Sequence, residues 1–243
     1  MISVKNVTKH FDEVHALSEV NLDIAAGEFI TIVGPSGCGK STLLRIIADI
    51  TSPSNGNTEK PDKGAFVFQD AALLPWRTVQ KNVELLMELE KVDKVERKHK
   101  AEQALEQVGL SGFEERYPHE LSGGMKMRVS IARALVTRPK VLLMDEPFGS
   151  LDEITRFKLN NELLKIYNNY NLTIIYITHS VYESVFLSNK IALLSDSPAH
   201  LNEIVNLSSN KERKEDFRLS REFLEYCKII SNKLNQYSSN NNE

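Results

Sequence analysis

The sequence predicts an α/β protein: a mostly parallel sheet covered by helices on both faces, with a strand-rich N-terminal edge and a helical lobe inserted mid-chain. Three observations carry that prediction. Short apolar runs, "EFITIVG", "KVLLMD", "LTIIYIT" and "KIALLS", alternate with helical stretches, which is the pattern of parallel strands buried on both faces. The first two dozen residues read instead as two strands joined by a polar turn. From about Pro75 to Leu135 the pattern becomes helical and more polar.

The elements follow in order. "ISVKNVT" and "EVNLDI" form the edge strands, and "EFITIVG" is a compact apolar strand running into glycine. From Lys40, "STLLRIIADI" has helical spacing, with Leu43, Leu44 and Ile47 on one face. "TSPSNGNTEKPDKG" is dense in turn and breaker residues, and "AFVF" is a strand ending at Gln69. In the lobe, "EKVDKVERKHKAEQ" reads as a solvated helix face. Phe217, Leu224, Cys227 and Leu234 fall on one face of a C-terminal helix at about 215–235, which is expected to pack onto the body. The ending "QYSSNNNE" reads as a frayed polar tail.

At 243 residues the chain suits one large domain with an embedded lobe. A hydrophobic content of 41% supports a real core. The net charge of −3 argues against broad binding to nucleic acid or anionic lipid, which needs a basic field. Cys38 and Cys227 make neither a disulfide framework nor a metal-ligand spacing, as suits a reducing compartment. "MISVKNVTKHF" does not read as a signal peptide, and no apolar run approaches a membrane span. The expectation is a soluble cytoplasmic chain that reaches a membrane only through a partner.

"GPSGCGKST", Gly34 to Thr42, fits G-x-x-x-x-G-K-[ST] between an apolar strand and a helix. Its glycines let successive N–H groups turn inward on phosphates. Lys40 is placed to meet the β- and γ-phosphates and the Ser41 hydroxyl to ligate Mg²⁺. Cys38 inside the loop reads as a small filler residue. "VLLMDEP" is a buried strand ending in two carboxylates. Neighbours on a strand face opposite ways, so the two take different tasks: Asp145 for Mg²⁺ and Glu146 as general base. Gln69 and His179, each at a strand end, have side chains suited to the metal and attacking water and to the γ-phosphate, respectively. A second turn, Ser122-Gly123-Gly124 in "LSGGMKMR", also feeds a helix start and is therefore a second potential anion site.

These motifs resemble those of the ATP-binding subunits of ABC transporters over nearly the whole chain. "GPSGCGKST" is similar to Walker A, "VLLMDE" to Walker B, Gln69 to the Q-loop, "LSGGM" to the signature, "SLD" (Ser150 to Asp152) to the D-loop and His179 to the switch histidine. Phe11 stands where this family places an aromatic that stacks on adenine. The resemblance implies a P-loop NTPase core of the ABC ATPase type in one domain, 1–243. Its helical lobe would span about 75–135, its C-terminal helix about 215–235 and its polar tail 236–243. It further implies an ATP-sandwich homodimer in which Ser122, Gly123 and Gly124 complete the partner's site, with Asp152 beside the nucleotide.

"LLPWRTVQKNV", Met125 after the signature and "YITHSVYESVFLSNKIALLSDSP" resemble the nitrate, sulfonate and taurine importer branch. That implies integral-membrane permease subunits as partners, an extracytoplasmic solute-binding protein indirectly, and a place at the cytoplasmic face of the membrane. Trp76 either packs within its own lobe or lies near the surface that receives the permease. The chain departs from the family in three places. Only 29 positions separate Lys40 from Gln69, so the antiparallel edge is expected to be reduced. Asp49 stands where relatives usually have glycine, and Met127 where this branch often has glutamine. The rival readings are a soluble DNA- or ribosome-associated ABC ATPase, for which the chain lacks a long coiled-coil insertion or a second cassette, a non-hydrolysing regulatory cassette, and an importer of another small solute.

Overall fold

The computed structural model describes residues 1–61, 63–207, 213 and 215–239. The chain forms two compact units, one of Met1–Asp62 with Asn171–Glu243 and the other of Lys63–Tyr170. The first unit begins with β1 (Ile2–Phe11), β2 (Val14–Ile24), β3 (Phe29–Val33), α1 (Lys40–Ile47) and β4 (Asn55–Glu59). The second holds β5 (Gly64–Val67), α2 (Val79–Leu89), α3 (Lys94–Gln107), α4 (Gly123–Leu135), β6 (Val141–Asp145) and α5 (Glu153–Tyr170). The first resumes with β7 (Thr173–Ile177), α6 (Val181–Leu187), β8 (Lys190–Leu194), β9 (Leu201–Asn206) and α7 (Arg221–Ser239).

In the first unit β3 pairs in parallel with both β7 and β8, and β9 closes antiparallel on β8. Every residue of β3 and β7 is buried, as the uninterrupted apolar runs predict. A separate antiparallel sheet has the order β2-β1-β4. β4 comes from the breaker-dense stretch, and its sequence, "NGNTE", carries no strand signal. It exists because its backbone pairs with β1 from Ser3↔Glu59 to Thr8↔Asn55. One strand therefore survives within the shortened segment.

α1 buries Leu43, Leu44, Ile46 and Ile47. At its C-terminal end Asp49 takes a left-handed conformation, φ 58, and Lys60 lies 2.8 Å from its carboxylate. That is the backbone state glycine accepts most easily at this position past a helix.

The expected apolar face of α7 needs correction. Phe217 precedes the helix in a 3-10 turn, Glu215–Leu219, and Leu224 is 54% exposed. The buried face is Phe223, Cys227 and Ile230, spaced as i, i+4, i+7, and the Phe223 ring lies tilted against Tyr182 of α6, centroids 5.8 Å apart. The shift has a local cause: Ser220 Oγ accepts the Phe223 N–H at 3.1 Å and starts the helix there. Of the expected tail, 236–239 continue α7, whereas 240–243 lie outside the described residues.

In the second unit β5 and β6 pair in parallel. α2, α3 and α4 pack on one another within the stretch expected to be helical. α3 buries only Ala101, Ala104 and Leu105, so its charged run is a solvated face. Among the described residues no helix is long and apolar enough to cross a membrane.

Candidate active site

The first unit carries the phosphate cradle. β3 ends at Val33, Gly34 to Gly39 turn the chain, and α1 starts at Lys40. Gly39 has φ 118, a conformation side-chain-bearing residues rarely adopt. A Cβ there would lie 2.8 Å from the Ala16 carbonyl oxygen and 2.9 Å from Leu17 Cδ2. Only glycine lets the loop close against β2. No side chain caps α1, and its first turn holds no acidic residue. Its leading N–H groups and positive dipole end therefore suit an anion.

Lys40 is 5% exposed and donates from Nζ to the carbonyl oxygens of Gly34 (3.0 Å) and Pro35 (2.7 Å). Those bonds fold the ammonium over the loop's own backbone. Ser36 and Gly37 are exposed, while Ser41 and Thr42 are half-buried in the first turn of α1. Cys38 is fully buried, and burial raises its thiol pKa above the usual cysteine value. It is a neutral filler, as the sequence suggests. The same unit holds Phe11 at the end of β1, 45% exposed, with Lys9 Nζ 4.7 Å from its ring centroid. With Lys9 over one face, the exposed remainder of the ring fits stacking on a base. His179 is exposed in the bend two residues past β7, just before Ser180 caps α6.

The second unit carries the other candidate residues. Gln69 is exposed two residues past β5. Asp145 ends β6 and is 6% exposed. Glu146 has left the strand in a left-handed conformation, φ 45, and its carbonyl accepts the Gly149 N–H at 3.1 Å. Glu146 therefore lies outside β6, so strand alternation, the expected reason for the two carboxylates to take different tasks, does not extend to it.

Ser122 caps α4, its hydroxyl accepting the Met125 N–H at 3.3 Å. Ser122 and Gly123 are exposed and Gly124 is buried. A Cβ on Gly124 would sit 2.7 Å from Thr155 Cγ2, so this glycine marks the close approach of α4 to α5. Asp152 accepts the Thr155 N–H at 2.9 Å, which caps α5 and holds its carboxyl below the usual carboxylate range.

Sequence reasoning missed two residues of the second unit. Asn82 is fully buried; its Oδ1 accepts the Leu74 N–H, and its Nδ2 donates to the carbonyls of Leu74, Arg77 and Thr78. It ties down the loop that displays Trp76, which is 72% exposed and therefore does not pack within its lobe. Arg133, on α4, donates to the carbonyls of Ala71 and Ala72, both at 2.8 Å. Its signal was an arginine inside the apolar run "VSIARAL".

A family model described as ABC transporter matches residues 17–149, more than half of the chain. The chain belongs to the ABC transporter ATP-binding family. An uncharacterized ABC transporter ATP-binding protein of Methanocaldococcus jannaschii is 47% identical over 95% of this ABC ATPase and 90% of its own length. The aliphatic sulfonates import ATP-binding protein of Bacillus thuringiensis is 41% identical over 85% of this chain and 87% of its own. The nitrate import ATP-binding protein of Synechococcus elongatus is 43% identical over 82% of this chain and 32% of its own. Among solved structures, a dimeric ATP-binding cassette in a post-hydrolysis state bound to ADP and phosphate is similar at TM-score 0.75 and 33% identity. That likeness covers 86% of this chain and 100% of that one. The protein is accordingly an ATP-binding, ATP-hydrolysing subunit on a P-loop fold.

Proposed function

We propose that this ABC ATPase is the motor subunit of an importer for a small anion such as nitrate, a sulfonate or taurine. The observation that carries this reading is its 41% identity, over 221 residues, to a protein named for aliphatic sulfonate import. The exposed loop presenting Trp76 supports a permease as the direct partner, since large exposed aromatics serve as interface anchors. An extracytoplasmic solute-binding protein would then act through the permease, and the subunit would sit on the cytoplasmic face of the membrane.

Two copies are proposed to sandwich ATP head to tail, with Ser122, Gly123, Gly124 and Asp152 of one copy completing the cradle of the other. The exposed helix start at Ser122 and Gly123 supports that arrangement, as does the dimeric form of the similar cassette. A two-fold interface of this type contains two such sites.

In the proposed mechanism the N–H groups of Gly34 to Thr42 and the Lys40 ammonium hold the phosphates, and Phe11 stacks on the base. Glu146 takes a proton from water as the water oxygen bonds to the γ-phosphorus and the bond to the ADP oxygen breaks, giving ADP and phosphate. Gln69 orients that water and His179 contacts the γ-phosphate. Ser41, Asp145 and Gln69 have the oxygen donors that suit Mg²⁺, which takes one or two carboxylates plus phosphate oxygens and supplies charge neutralisation. A Glu146→Gln chain is expected to bind ATP and dimerise while hydrolysing at least ~100-fold more slowly. Wild-type phosphate release by that chain would remove Glu146 from the base role.

The importer reading is tested by co-purifying the chain with its membrane permease and measuring ATPase activity across a panel of solutes. Stimulation by nitrate, a sulfonate or taurine is expected. Stimulation by an unrelated solute alone, or failure to associate with any permease, would overturn it.

A further inference from the structure

The helix that starts at Ser122 ends beside the chain that leaves Gln69. Arg133, in the last turn of α4, sends Nη1 to the Ala72 carbonyl and Nη2 to the Ala71 carbonyl, each at 2.8 Å. Its Nη2 also donates to Ser130 Oγ at 3.4 Å on its own helix. The segment it grips is tightly turned. Ala72 is left-handed at φ 46, and its N–H donates to Asp70 Oδ1 at 2.8 Å. Gln69 itself, exposed and just beyond β5, has no regular secondary structure to hold it.

We infer that Arg133 is a positioning residue for Gln69: its guanidinium fork fixes the 69–72 turn to α4 through the Ala71 and Ala72 carbonyls. A planar fork can meet two neighbouring carbonyls at once, whereas an ammonium is a single point of charge. Partial burial of the guanidinium pulls its pKa below the usual arginine value, a cost that the two carbonyl bonds offset. α4 is one rigid rod, with the signature residues at its start and this grip in its last turn. Any displacement of Ser122 to Gly124 therefore reaches the turn that bears Gln69 without passing through a flexible loop. Gln69 is thereby held relative to the signature as well as to β5.

The inference rests on the role proposed above for Gln69, and a double-mutant cycle separates the two. Steady-state ATP hydrolysis is measured for the full chain as wild type, Arg133→Lys, Gln69→Ala and the double variant, each with its thermal unfolding midpoint. Arg133→Lys is expected to lower kcat about tenfold with KM for ATP nearly unchanged, because misplacing an orienting group costs turnover more than binding. In the Gln69→Ala background the same change is expected to cost nothing further, the signature of two residues acting as one unit.

Equal losses in both backgrounds, or a raised KM with kcat intact, would overturn the inference while leaving Gln69's role standing. An unaffected Gln69→Ala chain would overturn both. If Arg133→Lys does not fold, Arg133→Gln and the surface variant Asp70→Ala address the same turn. Each is expected to be silent in the Gln69→Ala background, and an additive loss from either counts against the inference.

Discussion

Two helices of this protein begin on glycine-bearing turns, and they begin differently. α1 follows left-handed Gly39 with no side-chain cap, and Lys40 lies folded over the preceding carbonyls. α4 begins behind Ser122, whose hydroxyl already accepts the Met125 N–H. An uncapped start leaves all its leading N–H groups to a ligand, whereas the serine cap already satisfies one of them. Serine has a further property that suits the second start. Its hydroxyl can accept from the helix and donate to a phosphate at once, whereas an aspartate there would cap equally well and repel the anion. On the proposed reading, both are halves of one site: α1 belongs to the half that holds the phosphates and α4 to the half that a second copy brings to them.

Three substitutions sharpen or break that comparison. The largest effect is expected from Gly39→Ala. The added methyl meets the Ala16 carbonyl at 2.8 Å in a backbone state that resists any side chain. Stability should fall by about 2 kcal/mol and nucleotide binding should be lost, read by thermal unfolding and titration with a fluorescent ATP analogue. Wild-type affinity would show that the loop does not need its close approach to β2.

A smaller effect is expected from Ser122→Ala, which removes one cap worth about 1 kcal/mol. Under the half-site reading its ATP affinity as a single chain should stay unchanged while hydrolysis by the dimer drops. A weakened affinity in the monomer would instead place Ser122 in its own chain's site.

The smallest effect concerns the far end of α1. Asp49→Gly relieves a left-handed residue but loosens the unfolded chain and loses the partly exposed pair with Lys60, leaving a net gain of about 0.5 kcal/mol. A loss of stability would show that the Lys60 contact outweighs the backbone relief.

The cradle's backbone was legible because it depends on local sequence: glycines where the chain must bend between β3 and α1, with Lys40 opening the helix that follows. The buried strands β3, β6 and β7 were legible for a similar reason, since burial on both faces demands unbroken apolar runs. Features that depend on distant partners were not legible. β4 is strand only by pairing with β1, and the buried face of α7 moved because Ser220 sets where that helix begins. The left-handed conformation that takes Glu146 out of the strand was not legible either. Arg133 shows its purpose only when Ala71 and Ala72 are brought beneath it.

The four hydrogen bonds of Asn82 to the 74–78 loop have a consequence for rates. The disorder that would otherwise be lost when Trp76 meets a surface is already lost when the lobe folds. In the proposed docking, this side of the contact is a preformed shape, with little delay for its loop to rearrange between collision and capture. Untying that knot, as by Asn82→Ala, should therefore lengthen the search more than it weakens the final grip.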